Sequence, residues 1–319
     1  EGKSIPNLLK NEAYEAVWEN HESPDLKKLY DYRITRTRLH RDDKILVSWN
    51  GWMICACAKA GAVLDDTNYL DMAVRAETFI HENLVRDGRL MVRYREGDSA
   101  GEGKLDDYAC YILALLELYR VTFQTDYLTR AAQWAETMVQ QFFDRERGGF
   151  WMTAEDGEPL IVRTKETYDG AVPSGNSAAA LGLYQLARIT GETKWQDVLN
   201  QQLHYLAGAM EGYPSGHSFA LLTMMNVLYP SRELVCTVSP DESGEALSIL
   251  ARRLAYLAET VPGLTVVVKT ADNETELTKL APYIGDYPLP EAGSLFYLCS
   301  GSRCMPPVKS LEELAGKWT

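Results

Sequence analysis

The chain has 319 residues, 46% of them hydrophobic, enough for a sizeable core and more than one module. With 45 acidic against 32 basic residues and a formal charge of -13, it repels a nucleic-acid backbone overall, which sets nucleic acid aside as a partner. The longest apolar runs, Met53 to Leu64 and Ile112 to Leu118, are interrupted or too short to cross a bilayer, and no charged-then-apolar signal segment opens the sequence, so a soluble protein with no membrane partner is expected.

A dense charged cluster, His40, Asp42, Asp43 and Lys44, precedes the first predicted helix. From there the chain repeats a unit of two helices. The first unit opens at Ser48-Trp49-Asn50-Gly51, runs to Leu64, turns, and continues as a second helix from Tyr69 to Leu84. The second opens at Leu105-Asp106-Asp107-Tyr108, reaches Phe123, and continues from Tyr127 to Phe143. The third opens at Pro173-Ser174-Gly175-Asn176, breaks at Gly191 and resumes from Lys194 to Met210. Asn50 to Tyr69, Asp107 to Tyr127 and Asn176 to Trp195 are 19, 20 and 19 residues apart, each pairing a polar helix start with an aromatic residue at the next. A half unit starts at Pro214-Ser215-Gly216-His217 and stops at Pro230.

In each unit the first helix is apolar on nearly all sides and the second carries charge on one face, which separates inner from outer helices. The returns, Gly88 to Gly97 and Gly149 to Arg163, alternate like strands and predict β-hairpins at one end of the array. That end gathers the polar starts of all the inner helices, with their unpaired N–H groups, around one cavity. After Pro230 the pattern changes: Leu234 to Val238, Leu264 to Val268 and Leu295 to Cys299 predict strands, the first two parallel across a helix near Gly244 to Glu259. The expected fold is therefore mainly α, an (α/α)6-barrel-like and incomplete array of helical hairpins over residues 1–230, with a small α/β module over 231–319.

Three separated segments then resemble a known family: Leu39-His40-Arg41-Asp42-Asp43-Lys44-Ile45-Leu46-Val47-Ser48-Trp49-Asn50-Gly51, Leu105-Asp106-Asp107-Tyr108-Ala109, and Tyr168-Asp169-Gly170-Ala171-Val172-Pro173-Ser174-Gly175-Asn176-Ser177. They look like the spermatogenesis-associated, thioredoxin-like-domain family. The resemblance implies an N-terminal thioredoxin-like domain, an (α/α)6 six-hairpin barrel similar to N-acylglucosamine 2-epimerase, and a short C-terminal region. This chain lacks the thioredoxin-like part and the first barrel segment, and three and a half hairpins stand where six are implied. The start at Glu1 fits a fragment or a processed piece.

Candidate site residues follow from these helix starts. His40 and His217 stand at helix starts, and histidine is the residue type suited to the proton transfer at a sugar carbon that this chemistry requires. Asp107 is the acidic candidate facing the cavity with Tyr108, while Asp106 is read as an N-cap, because neighbours on a helix diverge by about 100°. Asp42, Asp43, Lys44, Trp49, Asn50, Asp169, Ser174 and Asn176 are candidates for holding hydroxyl groups, set against solvated-loop and capping readings of the same residues. Trp52 and Trp151 are further stacking or core candidates. The six cysteines lie mostly in apolar runs and read as core thiols in a reducing, cytoplasmic setting. For Cys299 and Cys304 a redox role stays open, and no zinc pattern is completed, so neither metal nor other cofactor is expected. Two functions remain: a sugar epimerase or isomerase-like enzyme, or a non-catalytic binding barrel coupled to a thioredoxin-like domain. A glycosidase is a third. The expected partners are a sugar or other small polar molecule, and either the missing N-terminal portion or a second copy of the chain.

Overall fold

The structure is a computed structural model that describes residues 24–36, 38, 41–242, 244–301 and 303–315. It divides into two compact units, residues 1–43 and residues 44–319. In the first, helix α1 (Pro24–Ile34) is steadied by the Lys27–Asp31 and Lys28–Asp25 pairs one turn apart.

The second unit opens with a helical array. Strand β1 (Ile45–Leu46) leads into α2 (Val47–Leu64), which returns as α3 (Thr67–Asn83). Asp65, left-handed at φ 52°, ends α2, and the Asp66 carboxylate accepts the Asn68 N–H at 3.0 Å to start α3. Strands β2 (Val85–Arg86), β3 (Arg89–Arg95) and β4 (Asp98–Glu102) follow, and β3 pairs antiparallel with β1, β2 and β4. The second and third hairpins are α4 (Leu105–Thr122) with α5 (Thr125–Phe142), and α6 (Gly175–Thr190) with α7 (Thr193–Ala209). A 3-10 turn at Pro214–His217 then enters α8 (Ser218–Leu228). The inner helices α2, α4, α6 and α8 lie side by side in that order, and each outer helix packs on its own inner partner. Among the described residues three and a half hairpins are thus present, in the predicted register. Helix α4 is buried along almost its whole length, since it has α2 and α6 at its sides and α5 behind it, and its sequence accordingly has no polar face.

The Gly149 to Arg163 return differs from expectation. Instead of a hairpin it holds turns and one isolated bridge, Phe143 to Phe150, because each segment donates its hydrogen bonds elsewhere: Trp151 N–H to Phe142 carbonyl (2.8 Å) and Met152 N–H to Thr164 carbonyl (2.8 Å).

The C-terminal module is a sheet of order β6-β5-β7-β8: β5 (Arg232–Val238), β6 (Leu264–Lys269), β7 (Ser294–Ser300) and β8 (Arg303–Cys304). Strands β5 and β6 are parallel, as expected, with α9 (Gly244–Thr260) on the connection between them, and β7 is antiparallel to β5. Helix α10 (Glu274–Leu280) and the short α11 (Leu311–Ala315) complete it, and α9 packs against α2 and α4. Cys110 and Cys236 are buried core thiols and Cys55 and Cys57 are half-buried. Cys299 and Cys304, for which the sequence left a redox role open beside the core-thiol reading, are not free thiols: β7 and β8 place them opposite one another, and they are joined in a disulfide.

Candidate functional site

The starts of the four inner helices meet at one end, held by carboxylates of the chain itself. Ser48, in the first turn of α2, donates its N–H to Asp107 Oδ1 at 3.2 Å, and Asp107 Oδ2 accepts the Lys104 N–H at 3.0 Å, closing the start of α4. Gly175, which opens α6, lies so close to Asp106 that a Cβ there would overlap its Oδ1. Asp169 links α6 to α8: Oδ1 accepts the Ser174 N–H at 2.9 Å, and Oδ2 accepts the N–H groups of Phe219 (2.8 Å) and Ala220 (3.2 Å). Each bond sets a negative charge on the positive end of a helix, which favours the arrangement.

These bonds reassign several predicted residues. Asp107 is 3% exposed and serves as the clasp between α2 and α4, whereas Asp106 is the less constrained of the two acids. The capping role that the sequence reading gave to Asp106 is thus filled by Asp107, because the helix turn that separates their directions does not say which one faces the neighbouring helix. Asn176, fully buried, is a four-bond pin. Its Oδ1 accepts from Phe150 N–H (2.8 Å) and Gln202 Nε2 (3.0 Å), and its Nδ2 donates to the carbonyls of Phe150 (2.9 Å) and Glu166 (2.8 Å). Tyr108 is core: its hydroxyl accepts the Leu90 N–H at 3.3 Å, and its ring packs on Trp134 and Phe142. Ser174 caps α6 by accepting the Ser177 N–H at 3.2 Å. Asn50 turns back to donate to the Leu46 carbonyl at 2.8 Å. Asp42 and Asp43 are exposed in the N-terminal unit, Lys44 is exposed at the start of the second, and His40 lies outside the described residues.

Trp49 stays open, with 63% of its surface exposed, while Trp52 packs edge-on against Phe219 of α8. The Trp151 ring is covered by Lys165, whose Nζ lies 4.4 Å from its centroid. His217 is buried, its Nδ1 3.1 Å from the Tyr213 carbonyl and its Nε2 3.2 Å from Thr167 Oγ1. A carbonyl only accepts, so Nδ1 carries a proton.

What remains available for chemistry at this end is Asp106 and its surroundings. Its Oδ1 is buried with no hydrogen-bond partner. Burial raises its carboxyl above the usual carboxylate range and the Glu166 charge pushes the same way, against a hydrogen bond from the Gly175 amide and the Lys104 charge. Asp107 is pushed up to about 6 by burial, in spite of its hydrogen bonds from Lys104 and Ser48. On the segment between Asp106's neighbour Glu166 and Asp169, Tyr168 is half exposed, and its ring stacks at 6.3 Å and 13° on the exposed Tyr213. Glycine is needed at 216, where a Cβ would overlap the Tyr213 ring and meet Tyr168. Glu166, Tyr168 and Tyr213 were not singled out from sequence; an acid and an aromatic residue just ahead of the capping Asp169 was the available signal.

At the opposite end of the inner helices, Lys59 of α2, Glu117 and Arg120 of α4 and Glu259 of α9 form an ion cluster. Arg120 is 3.3 Å from Glu117 and 3.0 Å from Glu259, and Lys59 is 2.9 Å from Glu259. It borders a cavity of about 170 Å³ that Tyr184, Gln185, Arg188 and Asn226 also line. Among the described residues no group of three or more His, Cys, Asp or Glu is arranged to hold a metal ion, and no helix is long and apolar enough to cross a membrane.

No family model matches the chain. It is similar to spermatogenesis-associated protein 20 of Homo sapiens, 27% identical over 300 residues and 91% of this chain, and to the same protein of Mus musculus, 26% identical over 300 residues and 91% of this chain. The resemblance read from the three motifs therefore holds along nearly the whole sequence. The chain spans 38% of the length of these relatives. Among solved structures it is similar to the cellobiose 2-epimerase of Bacillus thermoamylovorans (TM-score 0.44, 17% identity, 52% of this chain and 45% of that one). It is also similar to a family 76 glycoside hydrolase, an α-mannanase of Bacteroides thetaiotaomicron (TM-score 0.47, 14% identity, 69% of this chain and 59% of that one).

Proposed function

We propose that the end of the array where the inner helices start is a carbohydrate site with acid–base chemistry of the epimerase or isomerase type. The observation behind this reading is Asp106: a half-buried carboxyl group whose buried Oδ1 has no partner, with its pKa raised by burial and by the charge of a second carboxylate, Glu166. Two acids set side by side can divide the work of proton transfer. Asp106 holds a proton for the carbonyl oxygen of an open-chain sugar, and the exposed Glu166 takes the proton from the adjacent carbon. Trp49, Tyr168 and Tyr213 offer exposed aromatic surface for a sugar ring. His217 and Thr167, bonded to one another, fix the segment that presents Glu166.

The test is exchange of the sugar C2 proton with solvent deuterium, followed by NMR over a panel of aldoses and ketoses. Exchange by the wild type and its loss in Asp106→Asn support the reading; equal exchange in both would end it. A second reading, a binding barrel without catalysis, is favoured by Asp107, Asp169 and Asn176 being fully engaged with backbone groups. It predicts that sugars raise the melting temperature of the protein while no exchange occurs.

We further propose that the open flank of the array is the contact surface for a further length of polypeptide, of the kind by which the longer relatives exceed this chain.

A further inference from the structure

The β7–β8 hairpin holds a sulfur pair whose two ends differ. Cys299 sits on β7 and is 4% exposed, whereas Cys304, its register partner on the two-residue edge strand β8, is exposed. The Tyr287 hydroxyl lies 3.7 Å from Cys299 Sγ and 4.0 Å from Cys304 Sγ. Both sulfurs are in the disulfide and carry no proton, so the hydroxyl is the donor. Tyr287 is held in place by edge-on packing against Tyr297 at 4.9 Å and by its carbonyl, which accepts from Lys269 Nζ at 2.8 Å. Burial, and next the Glu233 charge, raise its phenol above the usual range, so it keeps its proton at neutral pH.

We propose that Cys299–Cys304 is a thiol–disulfide exchange site, attacked at Cys304 by a small thiol or a dithiol reductant. The thiolate of the reductant bonds to Cys304 Sγ, the S–S bond breaks, and Cys299 leaves as a thiolate that accepts the hydrogen bond of Tyr287. A second thiolate of the reductant then attacks the reductant sulfur of the mixed disulfide and releases Cys304. Two electrons pass from the two thiols to the cysteine pair, the reductant ends as a disulfide, and the two protons end on Cys299 and Cys304. Only one direction of attack is open, because exchange needs an accessible sulfur in line with the leaving one. The pair lies at the hairpin end, where β7 and β8 are paired at two positions, while β5 is bonded to the other edge of β7 and the chain after β8 is held further along β7 by Met305 and Val308, so the pair opens without disturbing the β5–β7 ladder.

Glutathione and dithiothreitol serve as probes. Denatured without reductant, the air-purified protein is expected to show four reactive thiols, the number left free by the pairing; six would overturn the proposal. Dithiothreitol is expected to convert the native protein to six thiols with its near-ultraviolet circular dichroism unchanged, and Tyr287→Phe to slow that step several-fold. Reduction that proceeds only as the protein unfolds, or an unchanged rate in the Phe variant, would count against it. With oxidised glutathione, Cys299→Ser should gain one glutathione at Cys304 while Cys304→Ser gains none at Cys299. Equal labelling of the two variants would remove the asymmetry on which the site rests.

Discussion

Asp106 and Asp107 are adjacent in sequence and differ in what surrounds them, so their amide variants should separate. Asp107→Asn leaves one face of the clasp able to accept and presents an NH2 toward the Ser48 or Lys104 N–H, which loses a charge-assisted bond and adds a clash of donors. A stability loss of about 1.5–3 kcal/mol is expected in denaturant unfolding. Asp106→Asn removes a carboxyl group whose Oδ1 has no partner, so stability should change by less than about 1 kcal/mol while any proton exchange on sugar disappears. The reverse pattern would return the catalytic role to Asp107. Glu117 gives a pH prediction. It is pushed up to about 7 by burial, which outweighs the attraction of Arg120, and Glu259 beside it adds to the rise. The folded protein therefore keeps a proton that the unfolded chain has released, so stability falls as pH rises from about 4.5 to about 7 and levels off above. Glu117→Gln should flatten that slope in urea unfolding measured across this window; an unaltered slope would show that another group sets it.

At the scale of elements, the inner helices are joined through side chains that bridge from one start to the next. Asp169 reaches two of them, accepting one N–H before α6 and two in the first turn of α8. Asp169→Ala should cost about 1–2 kcal/mol or more, since two caps are lost together, and should raise hydrogen exchange in α8 before it does in α4. Uniform loosening of α4 and α8 would mean that α8 is held by its apolar contacts instead. The repeat spacing made these starts legible: a polar residue at Asn50, Asp107, Asn176 and His217 every time an inner helix begins. What each polar residue bonds was not legible, because the partners, Phe150, Gln202 and Phe219, are fixed by how separate hairpins lie against each other. The same limit applies to the second return. Gly149 to Arg163 alternates like a strand, but the partners it needs are taken by Phe142 and Thr164, so no ladder forms. For Cys299 and Cys304, the nearness in sequence was visible and their pairing required the hairpin that sets them opposite.

Over the second unit as a whole, the array is an arc whose end members are α2 and α8, and both end members show apolar side chains to solvent. Trp49 and Met53, one turn apart on α2, are 63% and 59% exposed; on α8, Leu222 and Met225 are about half exposed and Leu228 is 82% exposed. The edge-on contact of Trp52 with Phe219 brings the two helices together near their starts, so these residues border one flank. Each has the spacing of a buried stripe, and apolar surface of this kind is worth about 25 cal/mol for each Å² covered. The proposed occupant is polypeptide of the sort that fills the rest of the relatives' length, of which this chain spans 38%. A separately produced N-terminal portion of such a relative should therefore bind the chain and raise its melting temperature, and Met225→Ser with Leu228→Ser should abolish the binding while leaving the melting temperature of the isolated chain within a few degrees. Without that portion, the chain should associate with itself through the same flank, and sedimentation should show the double variant as the more monomeric species. A wild-type chain that stays monomeric at high concentration and ignores the added portion would mean that this flank is simply solvent-facing surface.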